Sequence, residues 1–367
     1  MKTLFSSTAL ACCTLLSVPA LAEMEVTVGG YTGFQAAVFD NDAANNSGRD
    51  FLTEAEIHVK ASGKADNGLE YGALVELFAS TSDSTNANEA NIWLAGNWGR
   101  LELGDQDGAG SELAELTPYV GIGQVRGSYI DFVPAADRGH APSENGMDTN
   151  LKAIDTSDAT KVTYYTPRYS GFQAGVSYAP ERDSNASGEA VQFADNAGNH
   201  ENAVELGLNY KGEFSDVGIK VGGQYTHADA KTGATLEDIS AWSLGTQLSY
   251  NGFAVGGGYT HNGDSGQTVG TADDTVTGWN AGITYNSGPW GVGLSYADID
   301  FDTAATPFGA TGATGSGGDY TVWGLGGIYK VAPGLTAAAD LAFYDRNRVT
   351  GTDTDGYVAM TEVRAAF

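Results

Sequence analysis

A period of two runs through most of this chain. Between residues 69 and 79 the odd positions are Leu69, Tyr71, Ala73, Val75, Leu77 and Ala79, while the even ones include Glu70, Gly72 and Glu76. Such alternation is a strand with one apolar and one polar face. The same period governs residues 172–178, 253–259 and 290–296, where the residues between the large apolar ones are Gly, Ala, Ser and Gln. A soluble sandwich buries its apolar face against a second sheet and needs charged outward faces, whereas these polar faces are mostly small. A transmembrane barrel turns its apolar face to lipid and its polar face to a lumen, with strands of about 9–11 residues. The pattern predicts the barrel.

Continued along the chain, this reading predicts strands at residues 25–39, 51–62, 69–80, 88–96, 100–104, 160–166, 172–179 and 201–211. The second half adds 218–228, 239–250, 253–261, 275–286, 290–301, 320–330, 335–346 and 357–367, sixteen in all. Connections such as 97–99, 251–252 and 287–289 are short and rich in Gly, Asn and Pro, whereas 105–159, 180–200, 262–274 and 302–319 are long. Short turns at one rim and long loops at the other belong to an all-β, antiparallel transmembrane barrel, and about 16–18 strands leave a water-filled channel. A plugged transporter would need about 22 strands and a further domain.

The N-terminus changes the picture by one segment. Lys2, an apolar stretch at residues 9–18 and the small-x-small ending at Ala22 form a signal peptide, residues 1–22, leaving a single barrel domain over 23–367. Both cysteines, Cys12 and Cys13, leave with it. Charge then excludes a partner class: 46 acidic against 18 basic residues give −28, with nothing to offset nucleic-acid phosphates.

The residues carry a resemblance. The run Glu89-Ala-Asn-Ile-Trp-Leu-Ala-Gly-Asn-Trp-Gly-Arg-Leu-Glu-Leu-Gly-Asp-Gln-Asp-Gly108 resembles the strand-turn-strand leading into the constriction loop of trimeric general porins of alphaproteobacteria. Residues 163–180 are similar to the hairpin after that loop, and Val363-Arg-Ala-Ala-Phe367 resembles the terminal aromatic signal of outer-membrane proteins. The resemblance implies a homotrimer in the Gram-negative outer membrane, among its lipid and lipopolysaccharide, with Phe367 read by the barrel-assembly machinery. It also implies a loop at 105–159 folded into the lumen as the acidic side of a constriction, and passive diffusion of small hydrophilic solutes.

Parity supplies candidate lining residues. If Ala55, Ile57, Val59 and Ala61 face lipid, Glu54, Glu56, His58 and Lys60 face inward, and Arg100, Glu102, Lys161, Glu205, Lys220, Asp340, Glu362 and Arg364 follow by the same test. A charge on the lipid face at mid-bilayer costs about 2–4 kcal/mol for Arg or Lys, so the sorting is demanded energetically. The segment 105–158 holds ten acids against Arg126, Arg138 and Lys152, with enough large apolar residues to pack rather than unravel. The expected constriction therefore sets Asp105, Asp107, Glu112 and Glu115 opposite Lys60, Arg100 and Arg364, a transverse field with weak cation preference.

Other chemistry is not expected. The five histidines show no H-x-x-x-H or Cys/His spacing, Asp353-Thr-Asp-Gly356 reads as an acidic turn, and no G-x-S-x-G elbow precedes a helix. The reading has no enzyme, no cofactor and no transition metal; Ca2+ bridging of loop carboxylates is left open without a nameable site. The alternatives are a sugar- or anion-selective channel, marked by inward aromatics or an excess of inward bases, and a non-conducting adhesin or structural barrel.

Overall fold

The computed structural model describes residues 24–41, 48–80, 87–134, 152–182, 200–231, 235–267, 269, 275–301, 317–349 and 351–367. The expected signal peptide, residues 1–22, and Arg138 lie outside them. Sixteen strands close into one antiparallel barrel: β1 (Glu25–Asn41), β2 (Arg49–Lys64), β3 (Glu70–Phe78), β4 (Ala87–Gly96), β5 (Gly99–Asp105), β6 (Thr160–Tyr165), β7 (Phe172–Glu181) and β8 (His200–Phe214). The ring continues through β9 (Val217–Ala230), β10 (Ile239–Tyr250), β11 (Phe253–Gly263), β12 (Val276–Ser287), β13 (Trp290–Phe301), β14 (Gly318–Ala332), β15 (Leu335–Arg348) and β16 (Thr354–Ala366). Each strand pairs with its sequence neighbours, and β1 pairs with β16 from Tyr31↔Ala366 to Asn41↔Gly356. Phe367 completes the seam, because its N–H donates to Gly30 O and Gly30 N–H donates to Phe367 O, both at 3.0 Å.

All sixteen expected strands are present, and several run past their expected ends. β8 continues through Lys211 and Glu213 to Phe214, leaving Ser215 (φ 46°) and Asp216 (φ 65°) as a two-residue turn. Asn251 and Gly252, at φ 48° and 84°, make the equivalent turn between β10 and β11. Paired positive φ values match the right-handed strand twist at such hairpins. Charged residues do not end these strands, because backbone pairing continues into water once the strand has left the bilayer.

The outward face sorts into belts. At the short-turn rim Phe172–Tyr210, Phe253–Tyr285 and Trp290–Tyr329 have ring centroids 4.8, 4.4 and 4.3 Å apart. A second belt toward the long loops includes Trp242–Tyr259 at 5.5 Å, Trp279–Tyr296 at 5.0 Å and Tyr296–Trp323 at 4.5 Å. These are the two aromatic girdles of a membrane barrel. Beyond the second belt the alternation changes sign. In β13 Leu294 and Tyr296 face out, but past them Ala297, Ile299 and Phe301 point in and are buried. Asp298 and Asp300 then take the outward positions. The strand has left lipid, so its outside is now polar and its inside apolar.

Those inward apolar ends form the interior core. Ile299, Tyr320, Val322, Ala342, Tyr344 and Met360 hold Ile122, Val125, Tyr129, Phe132 and Val133 of the long connection between β5 and β6. A second cluster seats Ala153 and Ile154 on Ala179, Ala203, Ala228 and Ala241, and a third packs Ala109 and Leu113 with Tyr165. The described parts of the connection are therefore folded inside the barrel.

Candidate pore constriction

A single wall carboxylate fixes both ends of the loop. The loop opens with a short helix, α1 (Ala109–Leu113). Glu205 on β8 is fully buried and accepts from Gly110 N at 3.1 Å, Ser111 N at 3.4 Å and, on its other oxygen, Thr156 N at 2.7 Å and the Thr156 hydroxyl. Ala109 N donates to Ser177 Oγ at 2.7 Å. The Lys161 ammonium, also buried, donates to the carbonyls of Gln106 and Ser157. Glu205 and Lys161, expected to line the lumen, instead tie the loop to its wall; hydrogen bonds to a charged group contribute about 1.5–3 kcal/mol each.

From α1 the chain crosses the inner faces of β8 to β15 on glycine. A Cβ at Gly222 would lie 2.5 Å from Glu115 N and Leu113 O, one at Gly282 2.5 Å from Thr117 Cγ2, and one at Gly324 2.6 Å from Gln124 Cβ. At Gly245 a Cβ would overlap the Glu115 carbonyl oxygen itself. Past this bed Gln124 N donates to Asp340 Oδ2 at 2.6 Å, and Ser128 Oγ approaches Glu54 Oε1 at 3.4 Å. The small inward residues of the second half, expected as open lumen wall, are the seat of the loop. That regularity was the available signal: a wide lumen demands polarity of its lining, not the absence of a side chain.

Partly exposed inward side chains mark the remaining lumen wall on β2 to β5 and at Arg364 of β16, whereas Gln35, Ala37, Val358 and Met360 on β1 and β16 are buried with the loop. Arg364 donates to Glu54 at 2.7 Å and Glu362 at 2.9 Å and lies 4.4 Å over the Tyr31 ring. The Arg100 Nε donates to Glu102, and its guanidinium lies 4.3 Å over Trp93. Lys60 is exposed, paired in register with Leu74. Glu56, Glu76 and Glu89 complete this face. The expected basic wall is therefore a wall of mixed sign, with Arg364 and Arg100 already matched to neighbouring glutamates.

The four expected loop acids separate. Asp107 and Glu112 border a lumen compartment of about 600 Å³, together with Glu76, Glu89, Glu102, Arg100, Arg168 and Lys211. Glu115 is buried and turned toward Lys220, 3.7 Å away. Asp105 ends β5 in register with Thr160 and accepts from its hydroxyl at 2.5 Å. Thr160 shares the outward parity of Val162, which is 47% exposed, so Asp105 stands outside the lumen. Odd and even positions on β5 decide this: Arg100 and Glu102 face in, and Asp105 falls on the other parity. Glu89, which parity did not single out, belongs to the compartment instead.

Burial raises the pKa of Asp107 above the ordinary aspartate value, with Asp155 adding to the rise and Lys152 and Lys161 opposing it. Glu112 is raised by enclosure within the barrel and then by the Asp107 carboxylate. A raised carboxyl pKa means protonation sets in earlier as pH falls, so lumen negative charge is lost above the ordinary midpoints of about 3.9 and 4.3. The attraction of these two carboxylates for cations should therefore begin to fall at a pH above those values. Asp107→Asn/Glu112→Gln should remove that early component; the same pH profile in the variant would contradict it.

A closed sixteen-stranded barrel with lipid-facing belts, an internal loop and a charged compartment defines a transmembrane pore. The model of the Gram-negative porin family matches residues 6–349, and the chain belongs to that family. It is an outer-membrane porin. An uncharacterised protein of Rickettsia bellii is 24% identical over 424 residues, covering 93% of this chain and 91% of that protein. Outer membrane porin protein 32 of Delftia acidovorans is 26% identical over 174 residues, 44% of this chain and 45% of its own. Among solved structures, an anion-selective porin from Comamonas acidovorans has a TM-score of 0.64 at 17% identity, covering 94% of this chain and 100% of that one. The outer membrane protein OmpT of Vibrio cholerae, in its trimer form, has 0.60 at 14%, covering 94% and 99%.

Proposed function

We propose that this porin is a homotrimeric, non-enzymatic diffusion channel for small hydrophilic solutes with a weak preference for cations. The supporting observation is the charge of the compartment: Glu76, Glu89, Glu102, Asp107 and Glu112 outnumber Arg100, Arg168 and Lys211. The Comamonas acidovorans neighbour is named as anion-selective, which provides a second reading. An excess of lining carboxylates argues against carrying that selectivity over. The zero-current potential in a KCl gradient separates the two readings by its sign.

Trimer formation is supported by where the girdles stop. Mid-strand outward residues of β2 to β5 are Ala55, Ile57, Val59, Ala73, Val75, Ile92, Leu94, Leu101 and Leu103, all aliphatic. The loop-side aromatic belt has no member on β3, β4 or β5 among the described residues. Aromatic rings favour the lipid–water interface, so a sector without them suits a protein neighbour. The protein should run as a trimer in SDS at room temperature and as a monomer after boiling; one band unaffected by boiling would contradict this.

Phe367 is proposed as the assembly signal. Its main chain closes the seam while the residue is 70% exposed, leaving the side chain accessible. Phe367→Ala keeps both main-chain hydrogen bonds and should still lower insertion into the outer membrane; normal insertion would remove the ring from this role.

A further inference from the structure

On the barrel wall, where Glu76 borders the compartment it shares with Asp107 and Glu112, Glu56, His58 and Glu76 converge. Glu56 and His58 are two apart on β2 and share its inward face, and Glu76 is the direct cross-strand partner of His58 on β3. His58 Nε2 is 3.0 Å from Glu56 Oε2 and Nδ1 is 3.8 Å from Glu76 Oε1. One ligand atom from each residue can be chosen so that all lie within 4.8 Å of one another. The His58, Glu56 and Glu76 side chains are 24%, 20% and 18% exposed, so an ion travelling through the lumen can reach them.

Both imidazole nitrogens face carboxylates. Nε2 is within hydrogen-bond distance of Glu56, but Nδ1 is too far from Glu76 to hydrogen-bond to it, and a cation shared between ring and carboxylates would engage both carboxylates. Tyr31, paired in register with Glu56, donates its hydroxyl to the Glu56 carboxylate. Outer hydrogen bonds of this kind orient metal-ligating carboxylates.

We propose that Glu56, His58 and Glu76 form a lumen-wall site for a borderline divalent cation of the Zn2+ class. One imidazole nitrogen with two carboxylate oxygens suits Zn2+, Co2+ or Ni2+, whereas Ca2+ and Mg2+ favour all-oxygen sets. Three protein ligands leave the remaining positions to water, so the ion is exchangeable with the stream passing it. The histidine pattern in sequence gives no hint of this, because two ligands sit two apart on a strand and the third comes from its neighbour. The proposal goes beyond the diffusion reading and does not depend on it.

The test is calorimetric titration of the detergent-solubilised protein with Zn2+ alone, which reads the site whether or not the channel conducts. The expected result is one saturable Zn2+ per chain, not displaced by excess Mg2+, with affinity reduced about tenfold or more in His58→Ala. Glu76→Gln, which keeps the side-chain shape, should reduce it as well, and heat-shifted migration in SDS verifies that each variant is folded. Co2+ substitution should give visible absorption of a nitrogen-ligated ion, lost in His58→Ala. Absence of Zn2+ binding, or binding of unchanged affinity in folded His58→Ala, would overturn the proposal; a protonated imidazole bridging two carboxylates would give the first of these results.

Discussion

Gly245→Leu should lower the single-channel conductance and make it noisy, while Gly223→Leu should leave it unchanged. The two glycines are one position from facing each other across the β9–β10 ladder, Gly245 opposite Gly222 and Gly223 opposite Leu244, so they lie on opposite faces and see different surroundings. A Cβ at Gly245 meets the Glu115 carbonyl, which is backbone and cannot rotate away, so the loop must lift off its bed toward the lumen. At Gly223, on the outward face, the nearest atoms to a Cβ would be 3.6 Å away, an ordinary contact. Overpacking a filled interior costs about 1–3 kcal/mol, comparable with the hydrogen bonds that seat the loop. The Glu115–Lys220 pair shifts with the backbone. Equal conductance in the two variants would show that the glycine bed does not position the loop.

Asp107→Asn/Glu112→Gln should move the zero-current potential toward anions, whereas Asp105→Asn should not. Two carboxylates about 10 Å from an ion in water are each worth about 0.4 kcal/mol before screening. Screening reduces each to about 0.15 kcal/mol at 0.1 M salt and about 0.3 kcal/mol at 0.01 M; because the pair attracts the cation and repels the anion equally, it changes the cation-to-anion ratio about 2.8-fold and about 7-fold respectively. Arg364→Gln should act in the opposite sense, because it leaves Glu54 and Glu362 without their shared guanidinium. A shift from Asp105→Asn as large as from the pair would return Asp105 to the lumen and contradict the parity of β5.

The barrel was legible because its physics is local: lipid on one side of a strand writes a period of two into every crossing, and sixteen such segments fixed the architecture. The loop's seat was written there as well, in inward glycines at 207, 222, 245, 256, 282, 293 and 324, but parity says only which way a position points. It does not say whether water or chain lies beyond. The same limit applied to Glu205 and Lys161, correctly turned inward and yet bonded to the loop. Residues 296–301, Tyr-Ala-Asp-Ile-Asp-Phe, carry the change of phase at the membrane boundary within six positions. Mid-loop acids such as Glu112 and Glu115 have no strand parity, so their separation into lumen-facing and buried required the fold. Glu56, His58 and Glu76 needed the β2–β3 register, which no single stretch of sequence contains.

Bilayer recording of the purified protein under a KCl gradient reads both the open channel and the cation preference of its compartment. Discrete ohmic steps are expected, with a zero-current potential that has the sign of K+ permeation and grows as salt is lowered. Protein that inserts without conducting, or a potential with the sign of Cl− permeation at low salt, would rule out the cation-preferring channel.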